Sequence, residues 1–396
     1  MTLPLEGVRV VEVAQYVAGP LCGSLLAELG ADVIKVEPPG GDAYRRVMPV
    51  GADVGRFFVP LNRGKRSVVL DLKSEQGLAG LAAIVATADV VVHNTPQART
   101  EAFGLDWASL HAAHPRLVVG AVTSFGPHGP LAGAPAYDLV AQGRSGLLTS
   151  HAAHGDRVPV RAGGIPMADL TAGHLLAAGV LAGLVAARTT GAGRLVEVSL
   201  LAAALAVQIQ DLVWLEGEAT GAAAPATVTG LGARADEIAG GLAMNPYYRC
   251  FAAADGYLAV ACLNLSQRQS FLGLFGGDDP TIDAPDVVPD EAATLAAKRA
   301  LTSRIERAIA GEPVEAWLAR LGAATVPCGP VLARESVHAD PQIRANGLVG
   351  EVEQPGLGPV TMLGPVFRVD GIDAAPSAPA PLLGADTEAV LCEVGL

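Results

Sequence analysis

The chain has 396 residues, 51% of them hydrophobic, and a formal net charge of −13. This length suggests roughly two or three domain-sized units with a substantial core. The acidic balance argues against nucleic acid as a partner, because phosphate backbones are bound by basic side chains. No uninterrupted apolar run reaches the ~20 residues of a membrane span, so we expect no membrane contact.

The cysteine pattern indicates a reducing compartment. The sequence has five cysteines without CxxC spacing, namely Cys22, Cys250, Cys262, Cys328 and Cys392. An odd, sparse set is typical of free thiols rather than of a disulfide framework. The N-terminus has no basic region followed by an apolar one, as a signal peptide would have. We therefore expect a cytoplasmic protein.

The first forty residues predict a β-α-β unit: a strand at 8–14, a loop at QYVAGP, a helix at 21–30 and a strand at 31–37. Gly30 is suited to end the helix, because glycine readily adopts the left-handed conformation found there. The alternation continues with strands predicted at 66–72, 89–94 and 116–126 and a Ser74-capped helix at 74–88. This pattern predicts an α/β fold with a parallel, doubly wound sheet.

The second half of the chain has a different pattern. An apolar helix is predicted at 170–188 and, because it is apolar nearly all round, it should be buried. A strand and a long helix follow at 194–217, and the small, polar residues 217–242 predict a linker or mobile loop. A hairpin is predicted at 247–264 and further helices at 266–325. We place a smaller α+β domain at 225–325.

One acid stands alone before the apolar helix. In RAGGIPMADLTAG, Asp169 follows a turn-like GGIP, and the next charged residue is Arg188. Asp is a preferred helix N-cap, because its carboxylate accepts the unpaired N–H groups of the first turn. The same position keeps a carboxylate ionised near the positive end of the helix dipole, where it can act as a nucleophile. Local sequence leaves both readings open.

Other chemistries have weaker signals. Glu37 ends the second strand as in nicotinamide-binding folds, but the first turn lacks GxGxxG. Of two HxxH pairs, His111/His114 lacks a nearby acidic third ligand and His151/His154 lies in a loop-like SHAAHGDR, so both are interpreted as surface histidines and no metal site is predicted. The basic residues between 35 and 73 suggest a phosphate-binding face at the strand ends, with a solvated surface as the alternative. They are Lys35, Arg45, Arg46, Arg63, Lys65, Arg66 and Lys73.

Several stretches together resemble the class III coenzyme A transferases, a family that includes 2-methylacyl-CoA racemases. They include VVEVAQYVAGPLCGSLLAELGADVIKVEPPGGDAYR, NRGKRSVVLDLKSEQG, ADVVVHN, AYDLVAQGRSGL, GIPMADLTAG and VPCGPVLARESVHADPQ. The resemblance runs from residue 6 to 391 and is thinnest at 217–310. It implies a CoA thioester as substrate, with no permanently bound cofactor and no metal.

The resemblance gives Asp169 a role. In the transferases an aspartate in this segment attacks an acyl-CoA and forms a mixed anhydride. The released CoA thiolate then returns to give an aspartyl-CoA thioester, from which a carboxylic acid acceptor takes the CoA. Tyr137 and Asp138 match a Tyr-acid pair near the thioester, so the implied catalytic residues are Asp169, Tyr137 and Asp138.

The CoA-binding residues implied by the resemblance come from four segments. They are Gln15, Tyr16, Val17 and Ala18 in the first loop, Leu70 and Lys73 by the adenosine, Asn94 after the fourth strand, and Arg99. Val17 replaces a glutamine of the formyl-CoA:oxalate enzymes, and Arg99 stands in for the arginine of their NFRPG segment. No glycine tetrad is present, so oxalate is not the expected acceptor. The preferred acceptor is a different dicarboxylic acid.

Two other functions stay open. The racemases pair His with Asp as two bases, and Tyr137 occupies the histidine position; a neutral tyrosine, whose pKa is near 10, is a poor base. A non-catalytic CoA-binding protein would use Asp169 only as a cap. In the small domain, Met244, Tyr247, Tyr248 and Arg249 are candidate pocket residues, and Arg249 could pair an acceptor carboxylate.

The resemblance also implies an assembly. Each chain would form a ring from a Rossmann-like large domain, built from both termini, and a small domain, and two rings would interlock as a homodimer. The expected divisions are a large domain at 1–200, a linker helix at 201–224, the small domain at 225–325 and a C-terminal return at 326–396. The partners are then acyl-CoA, a small carboxylic acid and a second copy of the chain.

Overall fold

A computed structural model describes residues 2–150, 161–210, 212, 245–286, 292–370, 372–373 and 378–396. The chain divides into two units. Unit 1 comprises Met1–Leu148, Arg161–Gln208 and His338–Leu396, and unit 2 comprises Thr149–Val160 and Ile209–Val337. Both ends of the chain therefore belong to unit 1.

A six-stranded sheet lies at the centre of unit 1. Its strands are β1 (Arg9–Val13), β2 (Asp32–Glu37), β3 (Arg66–Val69), β4 (Val90–His93), β5 (Val118–Thr123) and β6 (Leu195–Ser199). All neighbouring strands pair in parallel, in the order β3-β2-β1-β4-β5-β6. The predicted α/β fold with a parallel sheet is confirmed. In sheets of this order, ligands bind beyond the carboxyl ends of the two strands where the winding reverses, here β1 and β4.

The helices of the described residues are numbered along the chain. They are α1 (Ala18–Glu28), α2 (Phe58–Asn62), α3 (Glu75–Val85), α4 (Gln97–Thr100), α5 (Trp107–Ala113), α6 (Asp138–Arg144), α7 (Leu147–Ser150), α8 (Met167–Thr190), α9 (Leu200–Ala206), α10 (Leu265–Gly273), α11 (Ala292–Ala310), α12 (Val314–Ala323), α13 (Pro341–Ala345) and α14 (Thr387–Glu393). Ser74 caps α3 as predicted, because its hydroxyl accepts the Gly77 N–H at 3.0 Å. Gly30 follows α1 with φ +101°, a conformation that favours glycine.

Helix α1 begins earlier than predicted. It starts at Ala18, inside the segment expected to be a loop, and includes Pro20. Proline is tolerated in a first turn, because the N–H it lacks would have no partner within the helix. The first loop is therefore short, and Tyr16 turns the chain with φ 70°.

Helix α8 packs on the sheet and on α1. A side chain at Gly173 would bring its Cβ within 2.9 Å of the Ala18 carbonyl oxygen, so glycine allows the close approach of the two helices. The helix is long and apolar enough to cross a membrane by length and composition alone, but Leu176 and Val180 are buried in the core of unit 1. The predicted all-round burial is wrong for Val185, which is 63% exposed.

The predicted phosphate-binding face is wrong for most of its basic residues, because acids elsewhere in the sequence pair with them inside the fold. Glu12, in β1, accepts from Lys35 Nζ at 2.8 Å and from Lys65 Nζ at 2.7 Å, and all three side chains have no solvent exposure. The other pairs are Arg45 with Glu37, Arg63 with Glu28, and Arg66 with Asp32 and Glu393. The pairing also gives Glu37 a structural role.

The C-terminal segment is tied to the edge of the sheet. Ser67 N–H donates to Asp386 Oδ2 at 2.8 Å, and Asp386 N–H donates to the Ser67 carbonyl at 3.0 Å. Helix α14 packs beside β3 and α3. Two short antiparallel strand pairs complete the described strands of unit 1: β10 (Val349–Gln354) with β11 (Gly358–Leu363), and β12 (Arg368–Val369) with β13 (Ile372–Asp373).

Unit 2 has its own sheet and core. The predicted hairpin is confirmed as β7 (Tyr248–Ala252) and β8 (Tyr257–Ala261), which pair antiparallel, and β9 (Cys328–Pro330) adds a third strand. Helices α10, α11 and α12 contribute apolar side chains to the same core as these strands. The predicted linker at 217–242 lies outside the described residues.

Candidate active site

Asp169 is not the cap of α8. The N-cap is Pro166, which makes no side-chain cap hydrogen bond, and Asp169 is the third residue of the helix. The acceptor for the first turn comes from another element: Asp138 Oδ1 accepts the N–H of Ala168 at 2.9 Å and of Asp169 at 3.3 Å. The capping hypothesis for Asp169 is therefore wrong, and its carboxylate is not committed to the helix end.

Asp138 is a buried anchor between α6 and α8. Its side chain is 6% exposed, and besides the two N–H groups it accepts from Gln142 Nε2 at 2.7 Å and from Arg161 Nη1 at 3.3 Å. These partners fix the carboxylate, and the carboxylate in turn fixes the turn that carries Asp169. The structure thus brings together two of the predicted catalytic residues.

Asp169 lies in an environment that disfavours its charge. Burial raises the pKa of its carboxyl group to about 7, the nearby Asp138 adds to the shift, and Arg161 opposes it. A carboxylate that loses solvation holds its lone pairs less tightly, so its ionised form is a stronger nucleophile than in water. Titratable groups with such shifts are typical of functional sites.

Three tyrosines lie beside the two aspartates. Tyr16 meets Tyr137 edge to face at 5.5 Å between ring centroids and Tyr44 at 5.6 Å. A hydrogen bond with Tyr137 raises the pKa of the Tyr16 hydroxyl. Burial raises the pKa of Tyr44, and the negative charge of Asp169 adds to the rise, so the Tyr44 hydroxyl lies close enough to Asp169 to interact with it electrostatically. Tyr137, predicted as catalytic, is 64% exposed at this cluster.

The first loop is held at the point where the sheet winding reverses. Gln15, after β1, donates its N–H to Asn94 Oδ1 at 3.1 Å and accepts from Asn94 Nδ2 at 2.7 Å. Tyr16 N–H donates to Asp42 Oδ1 at 3.3 Å, and Asp42 pairs with buried Lys35. Asn94, predicted to bind CoA, therefore uses its amide to position Gln15, and the buried ion cluster supports the loop beneath Tyr16.

The other predicted CoA-binding residues have different surroundings. Val17 and Ala18 are buried at the start of α1, and Leu70 packs in the hydrophobic core beside β3. Lys73 and Arg99 are exposed, on the segments that follow β3 and β4. The CoA-binding roles of all five residues stay predictions.

Two of the four unit 2 candidates have structural partners. Tyr247 is fully buried and donates to Asp279 Oδ2 at 2.9 Å, so it is a core residue rather than a pocket residue. Arg249 pairs with Glu306 at 2.9 Å, Tyr248 is exposed, and Met244 lies outside the described residues. In the described part of the chain no cluster suited to a metal was found, and His111 stacks on Trp107.

Three residues of the site were missed from the sequence: Asp42, Tyr44 and Arg161. Asp42 and Tyr44 lie two residues apart in GGDAYRR, and an Asp-x-Tyr spacing carries no chemical signal by itself. Arg161 precedes the GGIP turn by only two residues, and its basic side chain beside an acid-containing segment was the one usable clue. The fold brings Tyr44 and Arg161 close to Asp169 from separate segments, and Asp42 holds the Tyr16 backbone beside them.

An α/β unit that holds a poorly solvated carboxylate near the loop after β1 is suited to an enzyme that uses a carboxylate as nucleophile. The sequence pattern of CoA-transferase family III matches residues 5–387. The chain belongs to this family and is an enzyme of the CoA-transferase class.

Similar proteins cover nearly the whole chain. The chain is 32% identical to a succinate–glutarate CoA-transferase of Agrobacterium fabrum, covering 99% of this chain and 96% of that protein. It is 30% identical to the human succinyl-CoA:glutarate CoA-transferase, covering 99% and 86% respectively. A crystal structure of a CAIB/BAIF family protein from Brucella suis has a TM-score of 0.78 and 29% identity and covers all of both chains.

Proposed function

We propose that the protein moves CoA from an acyl-CoA donor to a carboxylic acid acceptor and that Asp169 carries the CoA between them as a thioester. The observation that carries the proposal is the Asp169 carboxylate, which has no capping role and is poorly solvated beside Asp138. A covalent intermediate divides one difficult exchange into easier steps, and it requires such a nucleophile.

The proposed reaction runs in two mirrored halves. Asp169 attacks the thioester carbonyl carbon, and the C–S bond breaks as the CoA thiolate leaves with the electron pair. The thiolate attacks the aspartyl carbonyl of the resulting anhydride and expels the donor acid as a carboxylate. The acceptor carboxylate then attacks the aspartyl thioester, and the same steps in reverse release the new acyl-CoA and restore Asp169. Asp138 keeps the Asp169 carboxylate in position through both halves of the reaction, and this positioning favours its attack on the thioester.

The proposed acceptor is a dicarboxylic acid. Two similar proteins, from Agrobacterium fabrum and human, are named for succinate or succinyl-CoA and glutarate. Val17 stands where the oxalate enzymes carry glutamine, so the acceptor is expected to be longer than oxalate. Initial rates with succinyl-CoA and glutarate, each varied at fixed levels of the other, test the proposal. Parallel double-reciprocal lines support a covalent carrier, whereas intersecting lines indicate direct transfer without one.

The racemase alternative is tested on the same preparation. A racemase exchanges the α-hydrogen of a 2-methylacyl-CoA with solvent, and a transferase has no step that removes this hydrogen. Incubation in heavy water followed by mass measurement of the substrate detects the exchange. Deuterium uptake without CoA transfer would favour the racemase.

The donor half-reaction is expected to depend on pH through Asp169. Only the ionised carboxylate attacks the thioester, and its pKa is raised to about 7. The kcat/KM for succinyl-CoA should therefore fall by about tenfold per pH unit below pH 6 and level off above about pH 8. Tyr137→Phe is the matched control and should keep the same midpoint. A profile that is flat from pH 5 to 9 would contradict the assignment.

We propose a homodimer in the cytoplasm. Exposed apolar side chains on α6 and α8, among them Leu139, Val140 and Val185, are 51%, 52% and 63% exposed and suit burial against a second copy. The five cysteines are unpaired, which suits a reducing compartment. Equilibrium sedimentation should give twice the mass of the chain at all loading concentrations. A folded monomer in equilibrium with the dimer would count against interlocked rings.

A further inference from the structure

Arg161 is the cation of the aspartate pair. Its Nη1 lies 3.3 Å from Asp138 Oδ2, its side chain is 36% exposed, and its charge acts on both Asp169 and Tyr44. Substrates of the proposed reaction are carboxylates, and they must enter a site that already holds two acids. An incoming anion therefore needs a positive partner at the site, and Arg161 is placed to supply it.

Arg161 can give up its contact with Asp138 and bind a substrate carboxylate instead. The Arg161 contact is long at 3.3 Å, whereas Gln142 donates to the same oxygen at 2.7 Å and Ala168 N–H donates to the other oxygen at 2.9 Å. Asp138 therefore keeps strong partners if the guanidinium turns away. The planar guanidinium of Arg161 can donate two parallel hydrogen bonds to a carboxylate, and its partial exposure leaves it accessible to a substrate.

We infer that Arg161 binds the non-reacting carboxylate of a dicarboxylic acid substrate; the inference rests on the proposed function. The reacting carboxylate gives up its charge as it attacks the aspartyl thioester, so an ion pair there would stabilise the ground state and slow the step. The second carboxylate stays charged throughout, and binding it improves affinity without this penalty. Arg161 thereby selects dicarboxylic over monocarboxylic acids of the same length.

The test compares two acids that differ in one terminal group. The protein is first loaded with CoA by brief incubation with succinyl-CoA, and excess donor is removed. Discharge of the aspartyl thioester by glutarate and by valerate is then followed in wild type, Arg161→Gln and Arg161→Lys. The ratio of the two second-order rate constants isolates binding of the second carboxylate, because any change in Asp169 affects both acids equally.

Arg161→Gln should lower the glutarate-to-valerate ratio by about 10- to 100-fold, the range expected for lost hydrogen bonds to a charged group. Arg161→Lys should give an intermediate ratio, because the charge remains and the planar fork is lost. If Arg161→Gln does not fold, the ratio measured for Arg161→Lys tests the inference instead. An equal loss for both acids would overturn the inference and leave Arg161 only as the cation that pairs with Asp138 beside Asp169.

Calorimetric titration with glutarate separates this inference from the proposed function. If no thioester forms on the wild type, the covalent mechanism fails, but glutarate binding still decides the role of Arg161. Binding that is at least about tenfold weaker in Arg161→Gln than in wild type supports it. Equal binding by both proteins, or no binding by the wild type, overturns it.

Discussion

Replacing Asp169 with asparagine is expected to lower CoA transfer by at least about a thousandfold, because the amide cannot form the acyl anhydride or the thioester. The same variant should be more stable than the wild type at pH 8. The folded-state pKa of Asp169 is about 7, above its ordinary value of 3.8, so folding favours the protonated form. Its contribution to stability is fully present below pH 4 and is lost as the pH rises through 7.

The gain in stability of Asp169→Asn at pH 8 is expected to be about 1–3 kcal/mol, since partial solvent contact reduces the full linkage value. Urea unfolding at pH 8 and at pH 4 measures it, and at pH 4 the difference should shrink. Asp169→Glu is the matched control: it keeps the charge and should lose activity through misplacement without the gain in stability. Substantial transfer by the asparagine variant would contradict the assignment of the nucleophile.

Replacing Glu12 with glutamine is expected to lower the free energy of unfolding by about 3–5 kcal/mol. Burial disfavours ionisation of Glu12, but Lys35 and Lys65 outweigh it and hold the pKa below its ordinary value. The amide has nearly the same shape but no charge, so two buried ammonium groups lose their common counter-ion. Because Asp42 links Lys35 to the Tyr16 backbone, the KM for acyl-CoA should also rise.

Glu393→Gln provides the matched control for Glu12. Glu393 also pairs with two cations, Arg9 and Arg66, but its side chain is 38% exposed. Solvent screens such pairs, so the loss should be under about 1 kcal/mol. Urea unfolding of both variants at pH 7 gives the comparison. Equal small losses would show that the buried cluster contributes little to the stability of unit 1.

Hydrophobic periodicity predicted the sheet well, because parallel strands buried on both faces form continuous runs of Val and Ile. VRVVEVA and DVVVHN became β1 and β4, and Ser74 capped α3 as its side-chain chemistry predicts. The hairpin in unit 2 was equally local, since a turn signal lies between two strand-like runs. These features depend on neighbouring residues and are therefore visible in one sequence.

The site depended on pairs that are distant in the chain. Lys35 and Lys65 looked like ligands for phosphate until the fold placed Glu12 between them, 23 and 53 residues away in sequence. Asp169 looked like a cap because the residue that accepts the first-turn N–H groups of α8, Asp138, lies 31 residues earlier. The order of residues along the chain does not show which distant side chains come into contact. Only the folded structure shows which acid pairs with which base. The proposal that Asp169 is the nucleophile came instead from the family resemblance.

Peptide mass spectrometry of the wild type tests directly whether Asp169 becomes covalently modified during CoA transfer. The protein is incubated briefly with a panel of acyl-CoAs, quenched with hydroxylamine or borohydride, and digested, with Asp169→Asn as the blank. The account predicts one modified peptide, with the hydroxamate or the reduced side chain at Asp169, and the donor that labels best identifies the acyl group. An unmodified Asp169 after every donor, in a preparation that still transfers CoA, would contradict the covalent mechanism.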